Sequence, residues 1–399
     1  PAPTPFRSFS RPSAPDQPPN GLGNYDRSFI ECVYIIRKIY PLADINIVLP
    51  KYGPIVDHLS KYASSIVYEP LWVLRRHDLR RLLTVELFRL PRAVARARAR
   101  FRNNDLVYIN TAVILDYLLA ARAWPRRGLL HVHELPTGSV RTILRALLRW
   151  SRCDVIFNSN ATRDSYLPIP GATTHVVYNG IVGPASPEVS TYDGSRPLRL
   201  LMLGRISRIK GQDVLVAALK ALPPEVRTRI DVRIVGSAFG GVAPVEALRE
   251  LVRSNGLSDI VTMFPFVEDP ADFYRWADVV AVPSRLPESL GRVAIEAMAY
   301  GRPPLVSAIG GLCEVVEHER TGWLVAPDNV EALAERLSLI VTDPESWRGY
   351  AVAARARYES LFTVRLVSDA FASVVEQTIA AGRLMSKDEP KKRLRQGQT

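Results

Sequence analysis

Apolar residues in this chain gather into short runs, and the stretches between the runs repeat their apolar positions every three or four residues. The first set of runs is DINIVLP (44–50), SSIVYEP (64–70), DLVYINT (105–111), GLLHVHE (128–134), DVIFNS (154–159) and THVVYNG (174–180). Alternation of β-branched runs with helical patterns is the βαβ rhythm of a parallel sheet. The segment GPASPEVSTYDGSRP (183–197) interrupts it with Pro, Gly and Ser, which predicts a linker over 184–197. The rhythm then resumes with LRLLML (198–203), DVRIVGS (231–237), IVTMFPF (260–266), VVAVPS (279–284), PPLVSA (303–308) and GWLVAP (322–327). The pattern predicts an α/β protein of two doubly wound domains, 21–183 and 198–362, with a cleft where their strand ends meet. Residues 1–20 read as an irregular Pro/Ser-rich start, 363–383 as a C-terminal helix able to cross back to the first domain, and 384–399 as a disordered polar tail.

Composition changes this picture only a little. With 399 residues, 47% hydrophobic and 23% charged, the chain is long enough for two large cores. Cys32, Cys153 and Cys313 are too few and too scattered for a disulfide framework or a zinc site, which favours a reducing cytosol. No apolar run reaches the roughly 18 residues of a membrane span, and the start lacks the apolar stretch of a signal peptide. The net charge of +12 rests on 44 arginines against eight lysines. No aromatic pattern interleaves with the basic stretches, so nucleic acid is not an expected partner.

Two stretches carry candidate chemistry. In PESLGRVAIEAMAYG (287–301), a turn leads through Gly291 into a short apolar helix that holds one carboxylate, Glu296, among residues suited to a core. The helix start offers free N–H groups to an anion, and Gly291 lets that anion come close. Glu296 needs a partner because an unpaired buried carboxylate costs several kcal/mol. Either Arg292, four residues earlier, or a ligand with vicinal hydroxyls such as a ribose would serve. In LMLGRISRIKGQDVLVAALKAL (201–222), Gly204 allows a sharp exit from a strand, and Arg205 and Lys210 bring two cations suited to a diphosphate or simply to solvent. The GxxxxGK[ST] loop is absent.

The order GRxxxxKGxD, then the E-x7-E of ESLGRVAIEAMAYGRP, then GGLCEVV and TGWLVAP, resembles retaining glycosyltransferases of family 4, which have the GT-B fold. The resemblance spans roughly 198–362 and is weaker over 24–181. It implies a nucleotide-diphosphate sugar as donor, with Arg205 and Lys210 on the diphosphate and the amides around Gly291 and Arg292 on the distal phosphate. Glu288 would contact the donor sugar, Glu296 the ribose, and Phe266 and Val267 the base, while Ser289, Leu290 and Gly204 shape the same donor pocket. His133, in HVHELP, would face the transferred sugar from the first domain, with His131 structural. Asn179 and Gly180 would shape a hinge, and Glu314 would brace a helix. No two aspartates lie two apart, so the DxD metal clamp of the other glycosyltransferase fold is missing. Fixed cations can replace its electrostatic work, so neither a metal nor a cofactor is expected.

Family members begin with an apolar strand entering a Gly-rich loop. Here GLGNYDRSFIECVYIIRKI resembles the loop and first helix, with Gly21 and Gly23 as the candidate acceptor loop, but Pro-rich sequence stands where the strand belongs. Residues 75–102 hold ten arginines interleaved with leucines, a pattern that predicts peripheral contact with an anionic membrane at its cytoplasmic face. The expected function is sugar transfer from a nucleotide-sugar to a saccharide or lipid-linked acceptor in bacterial surface polysaccharide or glycolipid synthesis. An epimerase or hydrolase of the same fold and a non-catalytic nucleotide-sugar-binding subunit are the alternatives.

Overall fold

The computed structural model describes residues 24–74, 87–238 and 242–396. The glycines at 21 and 23, the start over 1–20 and the basic stretch 75–86 lie outside the described residues. Each of the twelve apolar runs contains a strand: β1 (Asn46–Leu49), β2 (Ser65–Tyr68), β3 (Val107–Ile109), β4 (Gly128–Val132), β5 (Asp154–Phe157), β6 (Thr174–Val176), β7 (Leu198–Leu203), β8 (Ile230–Val235), β9 (Val261–Phe264), β10 (Val279–Val282), β11 (Pro304–Ser307) and β12 (Trp323–Val325). Every strand pairing is parallel. Parallel sheets bury both faces under crossover helices, which is why all residues of β4, β5, β10 and β11 are buried.

The second sheet has six strands in the order β12-β11-β10-β7-β8-β9. One face packs through Leu200, Val232, Leu219 and Leu337, and the other through Leu201, Val280, Met298 and Val306. In the first domain β3-β4-β5-β6 form one sheet, while β1 and β2 form a separate pair. The strand order reverses at β7 and β10, and the loops leaving the carboxyl ends there build the candidate site.

Three segments take definite places in the fold. Residues of the segment 183–197 fasten to the second domain. Asp278 receives a fork from Arg196 at 2.6 and 2.8 Å and a hydrogen bond from Ser190, and Tyr192 stacks on Trp347. The final helix runs Val364–Gln396, so most of the polar tail is helical rather than disordered. Phe371, Val374 and Val375 on this helix join Cys32, Ile35, Leu129 and Ile156 in one core cluster of the first domain. Finally, the helix Leu90–Asn103 turns its apolar face inward through Ala93, Ala97 and Phe101. Arg96 and Arg100 pair with Glu69 at 3.5 and 2.5 Å.

Candidate active site

Gly204 closes β7 with φ of +143°, a conformation open to glycine, and the chain turns into the loop carrying Arg205 and Lys210. Gln212, buried at the start of the next helix, holds this loop from beneath: its Nε2 donates to Arg205 O at 2.9 Å and its Oε1 accepts from Ser207 N. Arg205 is exposed. Lys210 Nζ donates to Glu288 Oε1 at 2.7 Å, and the same oxygen accepts from Ser284 Oγ. The residues expected on diphosphate and sugar are thus held against each other, which fixes the lysine head at the mouth of the loop.

The loop after β10 leads into the helix Arg292–Ala299 through Gly291, whose φ is +89°. A Cβ there would sit 2.4 Å from Leu312 Cδ2, so backbone conformation and space both demand glycine. Leu290 is buried, and Gly311 N donates to Glu288 O at 2.8 Å, fastening the loop to the one after β11. The first turn of the helix therefore faces the cleft at a fixed height.

Arg292 and Glu296 lie on this helix, but their closest approach is 4.0 Å, too long for a hydrogen bond. Glu296 Oε2 instead accepts from Tyr274 Oη at 2.7 Å. Tyr274 is fully buried, and burial together with the Glu296 charge raises its pKa well above the ordinary value, so it remains a donor. Nε and Nη1 of Arg292 are buried and find no hydrogen-bond partner among the described residues. An ion with two unpaired buried N–H groups is costly to hold, and an anionic ligand would remove that cost. Phe266, 62% exposed, and Val267 follow β9 on the same edge of the sheet.

His133 stands just past β4, buried, with Nε2 3.2 Å from Asn110 Oδ1. Tyr108 Oη reaches the same oxygen at 2.9 Å and His131 Nδ1 at 2.8 Å. Asn110 Oδ1 can only accept, so Tyr108 donates to it, His131 Nδ1 donates to Tyr108, and His133 Nε2 carries a hydrogen. Burial pushes the His133 pKa down to about 4, and the Arg292 charge across the cleft lowers it as well. Burial also takes His131 well below the usual range, with its ring 4.0 Å from that of His133. Glu134 turns back to accept from Thr111 Oγ1, Ala112 N and His133 N, and burial raises its pKa.

The two domains touch at this point. Asn158 Nδ2 donates to Ser289 Oγ at 3.1 Å and Thr162 Oγ1 to Ser289 O at 3.3 Å. Glu314 accepts from Asn160 N at 2.8 Å, Asn160 Nδ2 at 2.8 Å and Ala161 N at 2.5 Å, so the helix it caps, Asn160–Tyr166, belongs to the other domain. Asn179 and Gly180 lie against the start of the last helix, where a Cβ on Gly180 would meet Val364 Cα at 3.0 Å. Sequence reasoning missed Gln212, Ser284, Tyr274, Asn110 and Asn158. The two asparagines had a signal, since each directly follows an apolar run. Tyr274 had none.

Two parallel α/β sheets with an anion-ready edge facing across a cleft define a GT-B protein. Residues 193–357, in the second domain, match the family described as Glycosyl transferases group 1. A D-inositol 3-phosphate glycosyltransferase of Xylanimonas cellulosilytica is 42% identical over 159 residues, 39% of this chain and 37% of that protein. One from Streptomyces scabiei is 40% identical over 166 residues, 40% of this chain and 37% of that protein. The chain thus spans well under half the length of the curated relatives it matches. Among solved structures, Anabaena HepE in complex with UDP and glucose superposes with a TM-score of 0.67 at 24% identity, over 89% of this chain and 96% of that one. The lipopolysaccharide outer core galactosyltransferase WaaB gives 0.69 at 14% identity over 90% and 96%. Both carry the fold.

Proposed function

We propose that this chain is a retaining glycosyltransferase that uses a UDP-sugar and a saccharide or lipid-linked acceptor. The observation that carries the reading is the Arg292 guanidinium, whose buried Nε and Nη1 have no hydrogen-bond partner among the described residues, at the start of a helix that opens on the cleft. Lys210 on the neighbouring loop adds a second cation, and the helix N-terminus adds further donors. Together they would bind the diphosphate and stabilise the charge that grows on it as the sugar leaves. Glu296, held by Tyr274, would take the ribose hydroxyls, and Phe266 would cover the base.

His133 suits a hydrogen bond to the sugar because it stays neutral at physiological pH and Asn110 fixes its tautomer. For retention, the bond from the anomeric carbon to the phosphate oxygen breaks and the acceptor oxygen bonds to the same face. The acceptor proton passes to the departing phosphate oxygen, so no protein nucleophile enters. HepE was crystallised with UDP and UDP-glucose, which favours uridine here. The family match covers the second domain, so it supports the donor and leaves the acceptor to the first. A membrane contact narrower than 75–102 would rest on Leu87 and Phe88, exposed beside Arg89 and Arg92.

Calorimetry with UDP, GDP and ADP, followed by turnover of UDP-glucose and UDP-galactose, tests the reading. UDP should bind best, and Arg292→Gln should weaken it by about tenfold or more, the value of a hydrogen bond to charge. Equal affinity for all three nucleotides, or an indifferent Arg292 variant, would overturn it. Release of free sugar without acceptor would point to a hydrolase, and binding without turnover on any acceptor to a non-catalytic subunit.

A further inference from the structure

Behind His133 runs a file of polar side chains: Asn110, then Tyr108, then His131. Strand alternation puts His131 and His133 on one face of the sheet, their rings 4.0 Å apart. Phe371 of the last helix packs against the far end of the file, its ring 5.6 Å from that of Tyr108 and 6.2 Å from that of His131. Tyr108 Oη is the middle link, 2.8 Å from His131 Nδ1 and 2.9 Å from Asn110 Oδ1. A hydroxyl has one hydrogen, so it gives to one neighbour and receives from the other. His131 sets the direction. Its Nε2 is buried with no hydrogen-bond partner among the described residues, so a hydrogen there would have no acceptor, whereas a hydrogen on Nδ1 meets Tyr108. The Cys32 thiol, 3.9 Å from the same Nδ1, is a weak rival for it. Tyr108 therefore passes its own hydrogen to Asn110, and an amide that faces a donor must present its oxygen. That oxygen also lies 3.2 Å from His133 Nε2. Glu134 supplies the frame: it accepts from Thr111 Oγ1 and Ala112 N on one loop and from His133 N on the other, which fastens the asparagine's loop to the histidine's.

We propose that Tyr108 and His131 are positioning residues for sugar recognition: they lock the Asn110 amide, and the locked amide keeps the His133 hydrogen on Nε2 and the lone pair on Nδ1, so His133 meets a hydroxyl of the donor sugar as an acceptor. The inference rests on the sugar contact given to His133 above. The two ends of an amide have nearly the same shape, and a half-turn exchanges them. Without a donor at its back, Asn110 would offer oxygen or NH₂ to His133 alike, and the ring would divide between its two tautomers. A fixed lone pair selects for a hydroxyl, because a sugar lacking one there leaves a buried acceptor unmet.

The test is nitrogen NMR of the full chain with isotope-labelled histidine, the His133 ring being assigned by its loss in His133→Gln. At about pH 7 the unaltered chain should show a neutral His133 ring with its hydrogen on Nε2. Tyr108→Phe and His131→Leu should divide that ring between tautomers. His131→Asn, whose Nδ2 can stand near the place of Nδ1, should restore the single form. By calorimetry, Tyr108→Phe should weaken whichever of UDP-glucose and UDP-galactose turns over by about fivefold to tenfold, the worth of one neutral hydrogen bond, and leave UDP unchanged. A His133 hydrogen on Nδ1 in the unaltered chain would overturn the proposal, as would a tautomer that Tyr108→Phe does not move or an equal loss of UDP and UDP-sugar affinity. The unaltered chain is read first and without ligand, so a variant that fails to fold cannot shelter the proposal. Failure of UDP to bind would reject the donor reading whatever the ring shows, and a ring in the wrong tautomer would leave UDP binding untouched.

Discussion

Glu296 and Arg292 are one helical turn apart, yet each is held in wait for something else: the carboxylate by Tyr274, the guanidinium by nothing that bonds its buried N–H groups. Glu296→Gln should therefore weaken UDP binding by about tenfold to a hundredfold, the range of a charge-assisted hydrogen bond, with little change in urea midpoint. Tyr274→Phe should cost less affinity, since it frees the carboxylate without removing it. A stability loss without an affinity loss in the Glu296 variant would make the group structural. His133 gives a second residue-scale prediction. Its folded pKa of about 4 lies below the unfolded value near 6.5, so between these pH values the unfolded chain binds a proton that the native state refuses. Stability present above about pH 6.5 is then lost as pH falls toward about 4, by up to roughly 1.4 kcal/mol per pH unit. In urea titrations from about pH 7 to about pH 5, His133→Gln should flatten that slope, and the lowered His131 should leave a remainder.

At the scale of elements, the loop from β10 into the helix Arg292–Ala299 is fixed by steric fit. Gly291→Ala would need a left-handed alanine and would press its Cβ into Leu312, so it should destabilise the fold by about 1–3 kcal/mol and lower UDP affinity by displacing the helix start. Adding Leu312→Ala should relieve the contact but not the backbone strain, so melting temperature should recover only in part, if at all, given the cavity the second change leaves. Gly291 was legible in the sequence because a glycine before an apolar helix is a local signal, and β4, β5, β10 and β11 were legible because parallel strands buried on both faces keep apolar residues at successive positions. Pairings between distant side chains left no such trace. Lys210 with Glu288, Glu314 with the helix Asn160–Tyr166, and Arg100 with Glu69 are set by how elements stack. For the same reason the Pro/Gly/Ser content of 183–197 concealed Tyr192 and Arg196, which anchor it, and the run of arginines in 75–102 gave no sign that Arg96 and Arg100 pair with Glu69.

Across the whole molecule, Glu314 ties the domains by capping a first-domain helix from the second. Glu314→Ala should leave each domain folded but favour an open cleft, which small-angle scattering would detect as a larger radius of gyration without UDP. The lost bonds to charge are worth about 1.5–3 kcal/mol, enough to shift the open population by tenfold or more. An unchanged radius would show that the Asn158 and Thr162 contacts with Ser289 suffice alone. The returning helix has a different kind of consequence. Phe371, Val374 and Val375 complete a core begun by Cys32 and Ile35, so the part translated first waits for the part translated last, while the six-stranded domain between them has its whole sequence out of the ribosome earlier. A nascent chain arrested before Val364 should thus show a protease-resistant second domain beside a cleavable first one, reversing the order in which ribosomes deliver them.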